Sequence, residues 1–159
     1  MGGIEENGRT MATDPITQEQ IQAFAAAWFL ALDQHVPIQE AYHLLADDGL
    51  HMQFPDGDIT DFASFQLWYD RVTHLFFDEN HTLQQADAKI TGEQASVRVV
   101  VGWQASWFEA PAAKSKRTSM DATQDWVVRR SSKNAYGLEI VSYNATAAPF
   151  TYAPGFARL

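Results

Sequence analysis

Several absences limit what this chain can do. It has no cysteine, which excludes disulfides, thiol nucleophiles and cysteine-ligated zinc or iron–sulfur sites. Positive charge is scarce: 11 Lys and Arg stand against 20 Asp and Glu, giving a net charge of −9. A nucleic-acid-binding surface needs a basic stripe, so no nucleic-acid partner is expected.

Long apolar runs and targeting segments are also lacking. The longest charge-free apolar stretch is residues 21–32, whereas a membrane-spanning helix needs about 20 residues. The acidic, polar N-terminal segment has neither the basic region nor the apolar region of a secretion signal. We therefore expect a cytoplasmic protein that does not bind membranes.

Sequence motifs for common cofactors and metals are missing. There is no P-loop, G-x-G-x-x-G or G-x-S-x-G pattern, and no H-E-x-x-H pair. His35, His43 and His51 are evenly spaced, but they fall on different predicted elements. We expect neither a metal nor a cofactor.

Enough apolar sequence is present to build one domain from 159 residues, since 46% of them are hydrophobic and 13% aromatic. Thr17 and Gln20 form a capping-box pattern, and the helix that they start is apolar almost all round. Such a helix must be enclosed on more than one side. Shorter helices are predicted at 37–46 and 62–77.

From His81 onward the apolar period changes from about 3.6 to 2, which is typical of strands. Long strands are predicted at 81–91, 95–107, 120–130 and 137–146, after a short one at 50–54. This order favours an α+β fold. Because a long sheet must twist, we predict a strongly curved antiparallel sheet that forms a cone around three helices, with an apolar pocket. Residues 1–15 are interpreted as a disordered extension, 16–147 as the domain, and 148–159 as a tail that packs on the body or on a partner subunit.

Three segments then carry a family resemblance: LLADDGLHMQFPDG (44–57), QASVRVVVGWQASWF (94–108) and YGLEIVSYNA (136–145). Over roughly residues 17–147 the chain resembles the nuclear transport factor 2-like superfamily, particularly its SnoaL-like branch. The resemblance implies the same cone fold. It does not fix a function, because the superfamily includes lyases, isomerases and non-catalytic binding proteins.

His81 and Asp33 are the candidate catalytic residues. Scytalone dehydratase-like members of the superfamily have a histidine at this strand start and an aspartate near the end of the first helix, and the matching positions here are His81 and Asp33. An imidazole oriented by a carboxylate suits acid–base catalysis. Asp33 also lies in the last helical turn, where the helix dipole disfavours an anion. Two alternatives stay open: an inert strand-end histidine, and a solvated helix-end acid.

Further residues are candidates for contact with a ligand. Four aromatic and two polar side chains could line the pocket for a small hydrophobic molecule: Trp28, Phe54, Trp68, Trp103, Gln104 and Asn144. Aromatic residues in such positions are more often part of the core.

The sequence therefore supports a leading functional hypothesis with two alternatives. The leading one is a cofactor-free lyase or isomerase that uses Asp33 and His81. Because a second histidine of the scytalone dehydratase-like set has no counterpart here, a non-enzymatic ligand-binding or assembly module is the first alternative. The second is a small subunit of an aromatic-ring dioxygenase-like complex. In each case a homodimer is expected, because the face around Trp103 and Trp107 offers more apolar surface than one helix layer covers.

Overall fold

The computed structural model describes residues 14–159. The predicted N-terminal extension, residues 1–15, lies outside the described residues except for its last two. Three helices are present: α1 (Gln18–Gln34), α2 (Ile38–Tyr42) and α3 (Phe62–Leu75). The predicted capping box is confirmed, because the Gln20 amide donates to Thr17 Oγ1 at 3.1 Å and the Thr17 amide donates to Gln20 Oε1 at 3.3 Å.

Seven strands form one mixed sheet. Their bounds are β1 (His51–Phe54), β2 (Gly57–Ile59), β3 (Phe77–Thr91), β4 (Gln94–Trp107), β5 (Lys116–Arg130), β6 (Leu138–Asn144) and β7 (Thr151–Tyr152). The strand order is β2-β1-β6-β5-β4-β3, with β7 paired to β5. All pairs are antiparallel except β1–β6, which is parallel, so the predicted curved sheet is present but is not antiparallel throughout.

Irregular pairing accompanies the curvature of the sheet. The β3–β4 register shifts twice, between Phe77 and Asn80 and between Leu83 and Gln85. The β5–β6 register shifts once, at Val127 and Val128. Each extra residue bends its strand and increases the local twist. The bent strands curve the sheet over one face of α1, which carries the buried residues Phe24, Trp28 and Phe29.

Trp28 shows how α1 is enclosed. Its side chain is 0% exposed. Its ring lies 6.3 Å from that of Phe65 in α3 and 5.7 Å from that of Tyr143 in β6. Helix and sheet therefore pack on the same residue from different directions. The opposite face of α1 is nevertheless open to solvent, since Ala23, Ala26 and Leu30 are exposed, so the expected enclosure of this helix on several sides is only partly realised.

The two faces of β4 divide as the alternating pattern predicts. Val97, Val99 and Val101 are buried in the core, whereas Arg98 faces outward and forms an ion pair with Asp125 of β5 at 2.6 Å. The outer surface of the sheet is polar in this region, and the inner surface is available for a core and a pocket.

The C-terminal tail lies against the body of the chain. Met120 and Asp121 of β5 pair with Tyr152 and Thr151 of β7. On the inner face of the sheet, Phe76 packs edge-on against Trp103 and Trp107 at 5.0 and 6.0 Å. Other parts of the same chain thus cover some of the apolar surface that motivated the expected homodimer, which stays a prediction.

None of the helices within residues 14–159 is both long and apolar enough to span a bilayer.

Because Trp28 is enclosed on several sides, its truncation should be costly. We expect Trp28→Ala to lower the free energy of unfolding by about 3–5 kcal/mol, measured by urea denaturation. Leu67→Ala is the matched control, since Leu67 is 71% exposed on α3 and should change stability by no more than about 0.5 kcal/mol. Similar losses in the two variants would show that α1 is not the centre of the core.

Candidate active site

A cavity of about 560 Å³ lies between α3, the inner face of the sheet and the tail. This volume is in the range of small-molecule sites. Its walls are largely apolar and include Leu32, Phe54, Trp68, Val101, Trp103 and Met120. Asp56 and Arg71, which also line it, pair with each other at 2.6 Å and are each more than half exposed. The cavity therefore has an apolar interior and a charged opening.

Asp33 contacts His81 at the wall of this cavity; His81 lines the cavity, whereas Asp33 is not among its lining residues. Asp33 Oδ2 accepts the backbone N–H of His81 at 2.9 Å, and Oδ1 lies 2.5 Å from His81 Nδ1. An ionised carboxylate only accepts hydrogen bonds, so Nδ1 carries the proton of the neutral ring and Nε2 keeps its lone pair. Both oxygens of one carboxylate thus fix the position and the tautomer of one histidine.

The His81 ring is held on both faces. It stacks on Phe29 at 5.0 Å and on Trp103 at 6.1 Å, with interplanar angles of 22° and 28°. The side chains of His81 and Asp33 are only 10% and 15% exposed. His81 lines the cavity, and no hydrogen bond to its Nε2 occurs among residues 14–159. His81 is thus a fixed ring at the wall of a largely apolar cavity, with one ring nitrogen that has no hydrogen-bond partner among these residues.

The position of Asp33 also answers the question raised by the helix dipole. A carboxylate in the last turn of α1 is disfavoured by the partial negative charge of that end. Here two N–H groups of His81 bind it, and hydrogen bonds to a charged acceptor are stronger than neutral ones. Asp33 is therefore not a solvated helix-end acid in this fold.

Strained backbone borders the pair. His35, which caps α1, has φ +48°, and Asp78 in β3 has φ +52°. These are the non-glycine residues with left-handed φ in the described part of the chain, and each costs about 1–2 kcal/mol. Asp78 lies in the bulge between the Phe77–Ser106 and Asn80–Gln104 pairs. The bulge lies where the start of β3 contacts the end of α1.

A second acid–histidine pair joins the same two elements, with the histidine at the end of α1 and the acid on β3. His35 Nε2 forms a hydrogen bond with Glu79 Oε2, and Glu79 Oε1 accepts the indole N–H of Trp103 at 3.0 Å. The Glu79 side chain is 8% exposed and lines the cavity. Because both of its oxygens already bind donors, this carboxylate braces Trp103, which in turn stacks on His81.

Sequence reasoning missed Glu79, although a signal for it exists. Asp33 and His35 are two residues apart at a helix end, and Glu79 and His81 are two residues apart at a strand start. Residues two apart share one face of a strand. The available signal was the acid-x-histidine pattern, which occurs once at the end of the first helix and once at the start of the first long strand.

Two buried tyrosines complete the polar part of the cavity wall. Tyr69 donates to the backbone oxygen of Val36 at 2.5 Å. Burial, with the nearby charges of Glu79 and Glu40, raises the pKa of Tyr69 to about 12. Tyr143 accepts a hydrogen bond from Trp28 Nε1 at 3.3 Å, and burial raises its pKa further. Both phenols are therefore neutral at physiological pH.

The structure separates the six predicted ligand contacts into two groups. Phe54, Trp68 and Trp103 line the cavity, whereas Trp28 packs behind it in the core. Gln104 instead bonds to Ser119 and Arg117, and Asn144 borders a shallow groove on the outer face of the sheet. Neighbouring residues in a strand point to opposite faces, so Trp103 and Tyr143 take the inner positions. A binding role for the six residues stays a prediction.

Within residues 14–159, no three His, Cys, Asp or Glu side chains are grouped so that they could hold a metal ion.

No protein-family model matches the sequence, and no curated protein sequence matches it either. Solved structures do match. A putative scytalone dehydratase from Novosphingobium aromaticivorans DSM 12444 has a TM-score of 0.66 at 13% identity, over 88% of this chain and 94% of that one. A hexachlorocyclohexane dehydrochlorinase from Novosphingobium barchaimii LL02 also has a TM-score of 0.66 at 13% identity, over 89% and 93%.

A third match is the CaMKII hub of S. rosetta. It has a TM-score of 0.60 at 16% identity and covers 88% of this chain and 100% of that one. At such low identities the matches establish the fold alone. The chain has the cone fold of the nuclear transport factor 2-like superfamily, as its sequence predicts.

The buried phenols predict sensitivity to alkali. An unfolded tyrosine ionises near pH 10, whereas the folded pKa of Tyr69 is about 12. The folded state therefore holds this proton more tightly, and the resulting stability is complete below about pH 10 and is lost as the pH rises toward 12. We expect the urea midpoint of the wild type to fall between about pH 10 and pH 12, compared with its midpoint at pH 8. The midpoint of Tyr69→Phe, compared with the same variant at pH 8, should fall less. Equal pH dependence in both proteins would contradict this assignment.

Proposed function

We propose that this protein is a cofactor-independent lyase or isomerase that removes a proton from carbon in a small, largely apolar molecule. His81 is the base, and Asp33 orients it. The observation that carries the proposal is the position of the His81 ring. Its Nδ1 is fixed on Asp33, and its Nε2 is left without a protein partner at the wall of an apolar cavity.

The two residues have distinct roles in this chemistry. His81 Nε2 accepts the proton, and the carboxylate of Asp33 stabilises the imidazolium that forms. The rings of Phe29 and Trp103 prevent the imidazole from turning away. The apolar walls limit the access of water, which strengthens the interaction between the two charges. In an isomerase the proton returns to a different carbon; in a lyase a leaving group departs from the neighbouring carbon.

The size of the cavity and its lining indicate the kind of molecule that fits. About 560 Å³ accommodates a compact ring compound. Aromatic side chains such as Trp68 and Phe54, whose rings stack at 4.4 Å, favour a hydrophobic ligand. Two proteins of the same fold are named a putative dehydratase and a dehydrochlorinase, and both names denote eliminations, a reaction class that one oriented base can support.

The match to a hub domain favours a second candidate, an assembly module without catalytic activity. In that case the Asp33–His81 contact joins α1 to β3 and serves the fold alone. We propose a homodimer under either function. Removal of the acid–histidine pair separates the two candidates, since only an enzyme loses proton transfer while it stays folded.

Substitution of the dyad tests the proposed reaction. The probe is 2-tetralone, a ring ketone with an acidic C–H group, and the measurement is its deuterium exchange in D₂O by proton NMR. We expect His81→Ala and Asp33→Asn to slow protein-catalysed exchange by about 10²-fold or more. His43→Ala is the control, because His43 is exposed outside the cavity, and it should exchange at the wild-type rate. Wild-type exchange in both dyad variants would exclude His81 as the base.

The oligomeric state is tested separately. Light scattering of the purified chain should give twice the protomer mass of 17.8 kDa. A protomer mass at micromolar concentration would contradict the proposed homodimer, and a much larger mass would favour a hub-like assembly.

A further inference from the structure

Glu79 is a buried carboxylate at the wall of the cavity that the proposed dyad does not use. It lies on β3, its side chain is 8% exposed, and it lines the same cavity as His81. Trp103 Nε1–H donates to its Oε1 at 3.0 Å, and His35 Nε2 bonds to its Oε2. An ionised carboxylate has about four acceptor positions. The two contacts therefore hold the group in place and leave part of its acceptor capacity unused.

The negative charge of Glu79 has no permanent counter-ion. Among residues 14–159, no Lys or Arg pairs with this carboxylate, and its histidine partner is not a permanent cation. Glu109, which also lines the cavity, differs, because it is more than half exposed and pairs with Lys116 at 2.7 Å. Burial raises the pKa of Tyr69 in the cavity wall, and the charge of Glu79 raises it further. A charge in a largely apolar space is best stabilised by a bound group of the opposite sign.

Aromatic rings line the cavity together with this carboxylate. Trp103, whose indole N–H binds Glu79, is a lining residue, as are Phe76 and Trp107. The Phe76 ring lies 5.0 Å from that of Trp103 and 6.0 Å from that of Trp107. Aromatic rings attract cations through their quadrupole, and tryptophan does so most strongly. A carboxylate beside several such rings is the combination that recognises an ammonium group, whereas it repels an anion.

Two arginines also line the cavity, and neither offsets Glu79. Arg71 pairs with Asp56 at 2.6 Å, and the Arg158 guanidinium lies over the ring of Tyr152 at 4.9 Å. Both arginines are exposed, so water and salt screen their charges. The carboxylate of Glu79 is therefore the charge that a ligand meets inside the cavity, away from its opening.

We infer that Glu79 is the counter-ion for a protonated amine, and that the ligand is a compact ring compound that carries this amine. Glu79 and His81 are two residues apart on β3, so they share a face of the strand and their backbones lie about 7 Å apart. A ring amine bound at Glu79 therefore reaches His81 with its ring carbons, where the proposed base removes a proton. The inference rests on the proposed function for that reaction, but the binding of the amine is tested without it.

Binding of three probes with one ring system tests the inference. The probes are 2-aminotetralin, 2-tetralol and tetralin-2-carboxylate, which at neutral pH are a cation, a neutral molecule and an anion. By titration calorimetry, the wild type should bind the amine about 10-fold more tightly than the alcohol, as a hydrogen bond between charged groups provides. It should bind the carboxylate least tightly, because Glu79 repels it.

A pair of variants assigns this preference to one side chain. Glu79→Gln removes the charge but keeps an oxygen that accepts Trp103 Nε1–H, and it should reduce the preference for the amine over the alcohol to about 1-fold. Glu109→Gln is the matched control, because Glu109 lines the same cavity but is exposed and paired with Lys116. It should keep the wild-type preference.

The outcomes separate this inference from the proposed function. A wild type that binds the alcohol or the carboxylate as tightly as the amine overturns the role of Glu79, and this comparison needs no variant to fold. A Glu79→Gln variant that keeps the preference overturns it too, whatever His81 does. In His81→Ala, loss of 2-tetralone exchange without loss of the amine preference supports both proposals. A preference that depends on Glu79, combined with exchange that does not depend on His81, supports the amine site and removes the proposed base.

Discussion

The contact between Asp33 and His81 is the interaction on which the site depends. It joins the end of α1 to the start of β3, the first long strand of the sheet, by two hydrogen bonds to one carboxylate. The same contact sets the tautomer of His81. The same carboxylate therefore both connects α1 to β3 and orients the His81 ring. Strained backbone at His35 and Asp78 lies on either side of this contact, and such strain is common at functional sites.

The fold was largely predictable because its signals are local and strong. The capping box at Thr17 fixes the start of α1, and the unbroken alternation of β4 fixes that strand and its buried face. The apolar residues all round α1 did not indicate which face is buried, since Leu30 is exposed. The parallel β1–β6 pair was not predictable, since it joins segments about 90 residues apart in the chain. Nor was β7, whose two residues are too short for any periodic signal.

The site was predictable only in part, for a geometrical reason. Asp33 and His81 were chosen because they match positions in a similar family and because the charge of Asp33 is unfavourable at a helix end. The structure brings these two side chains into contact. Gln104 and Asn144 were predicted to contact a ligand because they are polar. Successive side chains of a strand point to opposite faces, and it is the preceding residues, Trp103 and Tyr143, that line the cavity. Glu79 was missed because the predicted strand began at His81, whereas β3 begins at Phe77, so that Glu79 lies on the same strand face as His81.

We propose that Asp33 holds His81 in the Nδ1–H form, so that Nε2 is a proton acceptor in the cavity. Long-range ¹H–¹⁵N NMR of the His81 ring at neutral pH tests it most directly, because the two ring nitrogens have different shifts when protonated and unprotonated. We expect a protonated Nδ1 and an unprotonated Nε2 in the wild type, and loss of this fixed tautomer in Asp33→Asn. A wild-type ring protonated at Nε2 alone would contradict it.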